Sequence, residues 1–460
     1  MTLIKSISGI RGTIGGQVGE GLSPLDVVKF ASAYGQWAKL RHKGKIKVVV
    51  GRDARISGDM VKNLVIGSLQ GLGIDVVNIG LATTPTTEIA VTEEKAHGGI
   101  ILTASHNPKQ WNALKLLNEK GEFLTAADGA EVLKIAEDES FVFADVDDLG
   151  QVSELDNYTD LHVEHVLNLR MVDVDAIKKA NFTVAIDCVN SVGGVALPKL
   201  LNALGVNNII ELYCEPNGHF PHNPEPLPEN LTEISKVIKE KKADVGFVVD
   251  PDVDRLAIVN EDGSMFGEEY TLVAVADYLL SEQVGNTVSN LSSSRALADV
   301  TRSFGGEYSP AAVGEVNVVA TMKATNALIG GEGNGGVIYP ESHYGRDALV
   351  GIGLFLTHLA KSGIKCSELR AKYPEYHISK NKIELTPDID VDGILKNIEE
   401  KYKNEDINTI DGLKIDFPDK WVQLRKSNTE PIIRIYAEAQ SMAAADELAQ
   451  TIINDIKALI

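Results

Sequence analysis

The sequence predicts an α/β protein of several domains that ends in a smaller α+β domain. Short β-branched runs such as Ile46–Val50 alternate with helix-length segments over most of the chain, which is the pattern of parallel strands joined by crossover helices. After Tyr373–His377 the helical patterns become longer, and two strand-like runs, Trp421–Leu424 and Ile432–Ala437, lie between them. At about 150 residues per domain, the 460 residues correspond to about three domains or four smaller ones.

Composition and charge narrow the functional classes. The chain has 44 Lys+Arg and 65 Asp+Glu, a formal net charge of −21, and 44% hydrophobic residues. This hydrophobic content excludes wholesale disorder, and the negative charge argues against a nucleic-acid or anionic-membrane partner. Three cysteines (Cys188, Cys214 and Cys366) are too widely spaced for a disulfide framework or a zinc site. With neither a signal core nor a run of about 18 apolar residues, we expect a cytoplasmic protein.

The strand-like runs divide the chain into four predicted domains. The first domain contains Ile46–Val50 and Gly98–Leu102, each ending in a polar turn. The second contains Val245–Asp250 and an apparent hairpin that begins at Leu256–Val259, and the third starts near Asn286–Leu291. We place the four domains at residues 1–152, 153–260, 261–370 and 371–460.

The segment Thr103–Pro108, TASHNP, directly follows an apolar strand. A serine at the carboxyl end of a parallel strand is exposed where open α/β sheets bind their ligands. His106 beside it can supply a hydrogen bond to an anion, and Lys115 lies close enough along the chain to return to Ser105. An ST-turn that caps a helix, with His106 merely in a loop, is the alternative interpretation.

The segment Asp250–Arg255, DPDVDR, follows a second apolar strand. Asp250, Asp252 and Asp254 are spaced by two, so an extended segment projects all three carboxylates to one side. Crowded carboxylates repel one another unless a cation or protons neutralise them. Hard oxygen ligands favour Mg²⁺ or Ca²⁺, so we predict a metal site here; a solvated acidic turn is the alternative.

Two further segments contain groups suited to a phosphorylated sugar. RKSNTEPIIR combines Arg425 and Arg434 with Ser427, Asn428 and Thr429, and arginine forks with hydroxyls form an anion cradle. An ordinary hairpin turn is the alternative for this segment.

The second of these segments is the glycine-rich Gly330–Gly336, GGEGNGG, which is not a Walker loop because no GK[ST] follows. Its Glu332 and Asn334 suit sugar hydroxyls, although a flexible loop is the simpler interpretation. Arg11, in the sequence GIRG, is a weaker candidate for substrate binding.

In this chain order, TASHNP with Lys115, DPDVDR, the Gly-Glu loop and RKSNTEP resemble the four signature segments of the α-D-phosphohexomutase family, over essentially the whole chain. The resemblance implies four domains around a central cleft: three related mixed-sheet α/β domains and a C-terminal α+β domain of the TATA-binding-protein-like kind. It also implies an isomerase that interconverts hexose 6-phosphate and hexose 1-phosphate. Mg²⁺ would be the cofactor and hexose 1,6-bisphosphate the intermediate and activator.

The resemblance further implies a role for each matching residue. Ser105 would bear the phosphoryl group and, with Asp250, Asp252 and Asp254, would bind Mg²⁺. Arg255 would orient the transferring phosphate, Lys115 would be the general acid/base, and His106 would assist at the serine. Glu332 would recognise sugar hydroxyls, and the distal phosphate would be held by Arg425, Ser427, Asn428, Thr429 and Arg434. Arg11 and Asn334 remain substrate-binding candidates from the residues alone.

The glycine loop departs from many bacterial family members, which carry Ser-Gly-His after the Gly-Glu pair. Gly-Asn-Gly-Gly stands here instead, similar to archaeal-type members assigned to glucosamine phosphate, and His343 is our candidate for the missing histidine. We therefore expect a phosphoglucosamine mutase, with phosphomannomutase or phosphoglucomutase as the alternative. A Mg²⁺-dependent phosphatase and a catalytically silent sugar-phosphate sensor are more distant rivals. A monomer and a homodimer are both compatible with the sequence.

Overall fold

A computed structural model describes residues 2–6, 9–384, 389–426 and 432–459 of the chain. Its α-helices are α1 (Pro24–Arg41), α2 (Gly58–Gly71), α3 (Thr84–Glu93), α4 (Ala126–Asp138), α5 (Tyr158–Leu167), α6 (Val174–Ala180), α7 (Gly193–Ala203), α8 (Thr232–Lys241), α9 (Glu268–Glu282), α10 (Ala296–Ser303), α11 (Glu315–Thr325), α12 (Ala348–Ser362), α13 (Cys366–Arg370), α14 (Val391–Lys401) and α15 (Met442–Lys457).

The β-strands alternate with these helices over most of the described chain. They are β1 (Ile4–Ser6), β2 (Gly9–Thr13), β3 (Lys47–Arg52), β4 (Asp75–Leu81), β5 (Gly99–Leu102), β6 (Trp111–Leu117), β7 (Val152–Glu154), β8 (Thr183–Asp187), β9 (Asn208–Leu212), β10 (Val245–Val249), β11 (Leu256–Asn260), β12 (Thr287–Asn290), β13 (Tyr308–Ala311), β14 (Ile329–Glu332), β15 (Gly336–Ile338), β16 (His377–Glu384), β17 (Asp406–Asn408), β18 (Leu413–Asp416), β19 (Trp421–Lys426) and β20 (Ile432–Ala439).

The chain divides into two compact units. The first unit comprises Met1–Thr271 and Gly335–Ser367, and the second comprises Leu272–Asn334 and Glu368–Ile460. Among the described helices, none combines the length and the apolar character that crossing a bilayer requires.

In the first unit, a mixed sheet carries its strands in the order β1-β2-β6-β5-β3-β4-β7. The buried β3 runs parallel to β4 and β5, as the β-branched runs predict. β5 pairs antiparallel with β6, and this register places Ile101 opposite Lys115. Strand β6 therefore brings Lys115 back along the strand that leads into Ser105.

A second sheet of the first unit has the order β11-β10-β8-β9. β10 is buried along its whole length and runs parallel to β8. It pairs antiparallel with β11, with Val249 opposite Leu256. The DPDVDR segment is thus the turn of a β-hairpin, whereas the sequence predicted an extended segment. Strand β11 pairs with β10. The sequence predicted that β11 would instead form a hairpin by returning through Asn260–Gly263, but that return is limited to a single bridge between Val259 and Met265.

The second unit contains a parallel arrangement in which β12 pairs with both β13 and β14. Its C-terminal part is an antiparallel sheet in the order β16-β20-β19-β18-β17. The sequence predicted two of these strands and missed β16, β17 and β18, because β16 alternates buried and exposed residues with many charges among them. The apolar faces of α14 and α15 join the same buried cluster as this sheet. The predicted fold class, α/β domains followed by an α+β domain, is confirmed.

Candidate active site

Ser105 follows β5 in a backbone conformation that serine seldom adopts. Its φ of +49° lies in the left-handed region, where a side chain other than glycine is disfavoured, and such strain collects at functional sites. The Thr103 hydroxyl accepts a hydrogen bond from the Ser105 N–H at 2.9 Å and donates to Asp53 at 2.7 Å. The serine is therefore held in a turn that its own backbone preference would not select.

Arg55 holds the loop that contains Ser105. Its guanidinium is fully buried and pairs with Asp53 at 3.0 Å. It donates hydrogen bonds to the carbonyl oxygens of Ser105, Asn107, Pro108 and Trp111. Buried carbonyl groups need such partners, and only arginine's fork of five N–H groups can supply so many at once. One side chain thus orders the whole TASHNP turn.

The three aspartates of DPDVDR converge at the turn between β10 and β11. Val253 adopts φ +64°, a conformation costly for a β-branched residue, and this bends the segment so that the carboxylates meet. Asp250, Asp252 and Asp254 are buried, and one oxygen from each lies within 4.8 Å of the others. The Ser105 hydroxyl donates to Asp250 Oδ2 at 2.6 Å. The turn therefore unites the serine with all three predicted metal ligands.

Two cations lie against this cluster. Lys115 Nζ is 2.6 Å from Asp252 Oδ2 and 3.3 Å from Asp254 Oδ2, and Arg346 donates to Asp254 Oδ2 at 2.7 Å. Burial alone would lower the pKa of Lys115, but Asp252 and Asp254 outweigh burial and raise it. Burial, and then the Asp254 and Asp252 charges, raise the pKa of Asp250. Arg255 Nε adds a third cation 3.9 Å from Asp254 Oδ1, yet burial and the other two carboxylates still disfavour ionisation of Asp250.

These carboxylates fit a divalent cation. Asp252 Oδ1 and Asp254 Oδ1 are buried and have no hydrogen-bond partner among the described residues. A buried carboxylate oxygen without a partner is expensive, and a cation coordinated by both oxygens would remove that penalty. The donor set contains only oxygen, which matches Mg²⁺ or Ca²⁺ better than zinc.

His106 lies beside the serine hydroxyl, and Arg255 contacts Asp250, to which that hydroxyl donates. The Ser105 hydroxyl is 3.4 Å from His106 Nδ1. Burial, assisted by the Arg255 charge, lowers the pKa of His106 to about 3, so its imidazole is neutral at physiological pH. The backbone N–H of Arg255 donates to Asp250 at 3.2 Å, and Nη1 of its guanidinium lies 3.8 Å from Glu225. Neutral His106 therefore offers one ring N–H as a hydrogen-bond donor and the other ring nitrogen as an acceptor, and it adds no positive charge.

In the second unit, Glu332 ends strand β14 and is buried. Its Oε1 accepts hydrogen bonds from Asn290 Nδ2 at 2.9 Å and from the Gly314 N–H at 3.2 Å. Asn334 Oδ1 is buried without a hydrogen-bond partner among the described residues. These two side chains, two residues apart, offer oxygen acceptors at the end of β14 and just beyond it.

Arg425 and Arg434 lie opposite each other on β19 and β20, and Lys382 of β16 lies opposite Arg434. Directly opposed residues share one face of a sheet, and like charges placed there repel. Arg425 is partly neutralised by Asp411 at 3.4 Å. Three cations in one row are suited to a bound anion. The predicted Ser427, Asn428 and Thr429 lie outside the described residues.

Two other predicted residues are placed in the first unit. Arg11 lies on β2 opposite Ala113. His343 lies between two carboxylates, 3.1 Å from Asp347 Oδ2 and 3.2 Å from Glu88 Oε2. Burial would lower the pKa of His343, but its contacts with Asp347 and Glu88 raise it to about 10. His343 is therefore a protonated ion-pair partner rather than a base poised near neutrality.

The sequence reasoning missed Arg55, Arg346 and Thr84. The Thr84 hydroxyl donates to Asp252 Oδ2 at 2.6 Å. A threonine-rich turn after β4 and the polar Gly-Arg-Asp turn after β3 are visible in the sequence, and both follow predicted strands of the same sheet. Because carboxyl ends of parallel strands share one edge, both turns could have been assigned to the serine's site.

The site thus combines a serine, three buried carboxylates that could hold a metal ion, and flanking cations. Four profiles of the phosphoglucomutase/phosphomannomutase family match in succession: α/β/α domain I over residues 3–143, domain II over 160–263, domain III over 267–376 and the C-terminal domain over 384–455.

Individual relatives agree. A phosphoglucomutase/phosphomannomutase of Thermococcus kodakarensis is 37% identical over 442 residues, covering 95% of this chain and 96% of that protein. A phosphoglucosamine/phosphogalactosamine mutase of Sulfurisphaera tokodaii is 32% identical over 464 residues and covers 98% of both chains. The crystal structure of a family protein from Burkholderia thailandensis superposes with a TM-score of 0.85 at 26% identity, covering 100% of this chain and 98% of that one. The chain belongs to the phosphoglucomutase/phosphomannomutase family and is a phosphohexomutase, an isomerase that relocates a phosphoryl group.

Proposed function

We propose that the protein interconverts hexose 6-phosphate and hexose 1-phosphate through a phosphoryl group carried on Ser105. The observation that supports this most directly is the contact between the Ser105 hydroxyl and Asp250 at 2.6 Å. It places the serine oxygen beside a cluster of three buried carboxylates, two of which have an oxygen that no described residue hydrogen-bonds. A metal held there would reach an oxygen of a phosphate on Ser105.

Charge supports a phosphorylated serine at this site. Three carboxylates and a phosphoserine dianion carry about five negative charges. Lys115, Arg346 and Arg255 together with one Mg²⁺ carry five positive charges. On this tally the three carboxylates balance the three cations, and the metal balances the phosphate, whereas the phosphate or the metal alone would leave the cluster two charges out of balance. Mg²⁺, held by Asp250, Asp252 and Asp254, would neutralise charge that develops on the transferring phosphoryl group.

Positioning and proton transfer come from the chain itself. In the first transfer, a sugar hydroxyl attacks the phosphorus on Ser105, so a bond to the sugar oxygen forms and the bond to the Ser105 oxygen breaks. In the return transfer, the Ser105 oxygen attacks the other phosphate of the bisphosphate, and the bond from that phosphorus to its sugar oxygen breaks. The attacking hydroxyl loses its proton in the first transfer, and the other sugar oxygen takes one up when its phosphate leaves in the return transfer. Lys115 is the group we assign to exchange this proton, because a cation on Asp252 and Asp254 would offset the charges that raise its pKa. Arg255 and Arg346 hold charge beside the moving phosphoryl group. Neutral His106 accepts a hydrogen bond near the serine without adding positive charge.

A second anion site distinguishes a mutase from a phosphatase. The intermediate is a hexose 1,6-bisphosphate, so one phosphate must be held while the other reacts. We assign that role to Arg425 and Arg434, with the neighbouring Ser427, Asn428 and Thr429, while Glu332, Asn334 and Arg11 bind the substrate. Each guanidinium–phosphate contact is charge-assisted and geometrically selective. A phosphatase that transfers its phosphoryl group to water has no need of this second site.

Glucosamine phosphate is our first candidate substrate. The Gly-Asn-Gly-Gly sequence after Glu332 supports it, as does the phosphoglucosamine/phosphogalactosamine mutase of Sulfurisphaera tokodaii. Glucose or mannose phosphate is the second candidate, favoured by the Thermococcus phosphoglucomutase/phosphomannomutase, which is the more similar of the two relatives.

Phosphorus NMR with equal concentrations of glucosamine, glucose and mannose 1-phosphate tests both levels of the proposal. Each reaction contains Mg²⁺ and a trace of the matching 1,6-bisphosphate. Fastest conversion of glucosamine 1-phosphate to its 6-phosphate supports the first candidate, and a preference for another sugar supports the second. Inorganic phosphate without isomer would contradict the mutase. Ser105→Ala must abolish conversion, since retained turnover would refute the phosphoserine.

A further inference from the structure

The loop that carries Asp250, Asp252 and Asp254 is held from two sides. On one side, Thr84 at the start of α3 donates its hydroxyl to Asp252 Oδ2 at 2.6 Å and its N–H to the Asp252 carbonyl at 2.9 Å. On the other side, Arg346 donates to Asp254 Oδ2 at 2.7 Å, and the Ala348 N–H donates to the Val253 carbonyl at 3.2 Å. The position of the carboxylates therefore depends on how these two segments are fixed relative to each other.

A buried polar network joins the two segments. Asp347 lies between Arg346 and Ala348, and its Oδ2 is 2.8 Å from His162 Nε2 and 3.1 Å from His343 Nε2. The His162 ring continues to α3 through Thr86, whose hydroxyl is 2.9 Å from Nδ1. The His343 ring returns to the same helix through Glu88 Oε2, 3.2 Å from its Nδ1. Both branches thus start at Asp347 and end on the helix that begins with Thr84.

The two histidines and Asp347 are not explained by packing alone. His162 and Asp347 are almost fully buried. Burying polar or charged groups costs free energy unless their hydrogen bonds are satisfied inside the protein. Asp347 Oδ1 also accepts from the N–H groups of Leu349 and Val350 and so caps α12. An asparagine would serve as that cap equally well. The helix cap therefore does not require a charged side chain, whereas Oδ2 has to accept from both the His162 and the His343 ring, as a carboxylate oxygen can.

We propose that Asp347 is a positioning residue for the metal ligands, which through His162 and His343 fixes α3 and Arg346 as the two supports of the Asp250–Asp254 loop. This inference rests on the proposed function of that loop as the divalent-cation site. Residues that orient metal ligands without touching the metal contribute roughly 10- to 100-fold to metal affinity or activity. We therefore expect Asp347 to act on metal binding and turnover, and not on the binding of the sugar.

The test uses the full-length protein and Mn²⁺ followed by electron paramagnetic resonance, which detects binding without any turnover. Asp347→Asn keeps the helix cap through its amide oxygen but turns toward both rings an NH2 group, which cannot accept a hydrogen bond. We expect its Mn²⁺ affinity to fall roughly 10- to 100-fold, and the Mg²⁺ concentration for half-maximal activity to rise with it. The KM for the hexose phosphate should stay unchanged.

Asp173→Asn is the matched control, since Asp173 caps α6 by accepting from the Ala176 N–H and has no contact with this network in the described structure. It should bind Mn²⁺ as wild type does. If Asp347→Asn binds Mn²⁺ as tightly as this control, the inference is wrong. A merely structural role predicts a lower melting temperature with unchanged metal affinity.

Thr86→Val decides the matter should Asp347→Asn not fold. It preserves shape and charge and breaks the link from His162 to α3, together with the 2.7 Å contact between the Thr86 and Thr83 hydroxyls, so a loss of about fivefold in Mn²⁺ affinity is expected, the equivalent of one hydrogen bond. Unchanged affinity would overturn the inference. Asp252→Asn separates this result from the proposed function: if wild type binds Mn²⁺ no better than Asp252→Asn, the metal assignment itself fails.

Discussion

Replacing Lys115 by methionine tests two effects of its buried charge, which are the stability of the protein without metal and the rate of turnover. The Lys115 ammonium lies 2.6 Å from Asp252 Oδ2 and 3.3 Å from Asp254 Oδ2, with 12% of its side chain exposed. At an effective dielectric constant of about 20, each contact is a gross attraction of roughly 5–6 kcal/mol. Desolvation offsets much of this, and removing one partner of a buried pair costs about 3–5 kcal/mol. Lys115→Met should lose stability of that order in the absence of metal.

Mg²⁺ should restore much of that loss. Without the ammonium, the two carboxylates repel each other more strongly and bind a cation more tightly. A ligand at 1,000 times its Kd stabilises the folded state by about 4 kcal/mol, close to the predicted loss. The gain in melting temperature on adding Mg²⁺ should therefore be larger for Lys115→Met than for wild type, although turnover falls by about 10²- to 10⁴-fold with loss of the acid/base.

Differential scanning calorimetry with and without Mg²⁺, together with single-turnover kinetics, checks both parts. Lys134→Met is the matched control, because Lys134 pairs with Asp138 on an exposed helix face, where such pairs contribute about 0–1 kcal/mol. Lys115→Arg should recover stability but not turnover, since a guanidinium does not release its proton. The reasoning is refuted if Lys115→Met has the melting temperature of Lys134→Met without metal, or if it turns over at the wild-type rate.

Three further predictions follow from individual contacts. Arg55→Lys should lower kcat far more than it raises KM, because lysine cannot serve the carbonyls of Ser105, Asn107, Pro108 and Trp111. Each buried carbonyl left unpaired should cost about 1–3 kcal/mol of stability, which calorimetry measures, and an unchanged kcat would contradict this. Arg434→Met should raise the KM for the sugar phosphate by about 10- to 100-fold, the equivalent of a charge-assisted hydrogen bond, with kcat preserved at saturation. For His343, the folded pKa of about 10 lies above the ordinary value of 6.5, so its stabilisation is complete below pH 6.5 and disappears as pH rises through 10. Melting temperatures of wild type should therefore fall over that range more steeply than those of His343→Gln, and parallel curves would contradict the assignment.

Much of the fold could be predicted because many of its strands are continuous runs of apolar residues, which local sequence reveals. The β-branched runs of β3, β5 and β10 are buried on both faces, so each stands out as a continuous apolar run. Strands β16 and β17 have a solvated face and few apolar residues, and nothing local separates them from loops. Periodicity therefore revealed the parallel domains but counted too few strands in the antiparallel one.

The candidate site divides in the same way. Carboxylates and arginines grouped within a few residues, such as Asp250–Arg255, can be recognised as one chemical unit. Arg346 and Thr84 act on the same loop from distant points of the chain. The threonine-rich turn that contains Thr84 could have been assigned to this edge of the sheet, whereas nothing in the local sequence marks Arg346. The start of α3 brings Thr84 to the loop, and the segment that leads into α12 brings Arg346 there.

The shape of the metal loop shows why spacing alone misled in one respect. Alternate residues share a side only in an extended strand, yet Asp250–Asp254 is the turn of a hairpin, with Val253 at φ +64°. A flat segment would spread three carboxylates along about 13 Å of strand, too far for one small cation. The turn brings an oxygen of each within 4.8 Å of the others. Strain at Val253 and at Ser105 therefore serves one arrangement, because both unusual backbones are needed to place a serine oxygen and three carboxylates around one point.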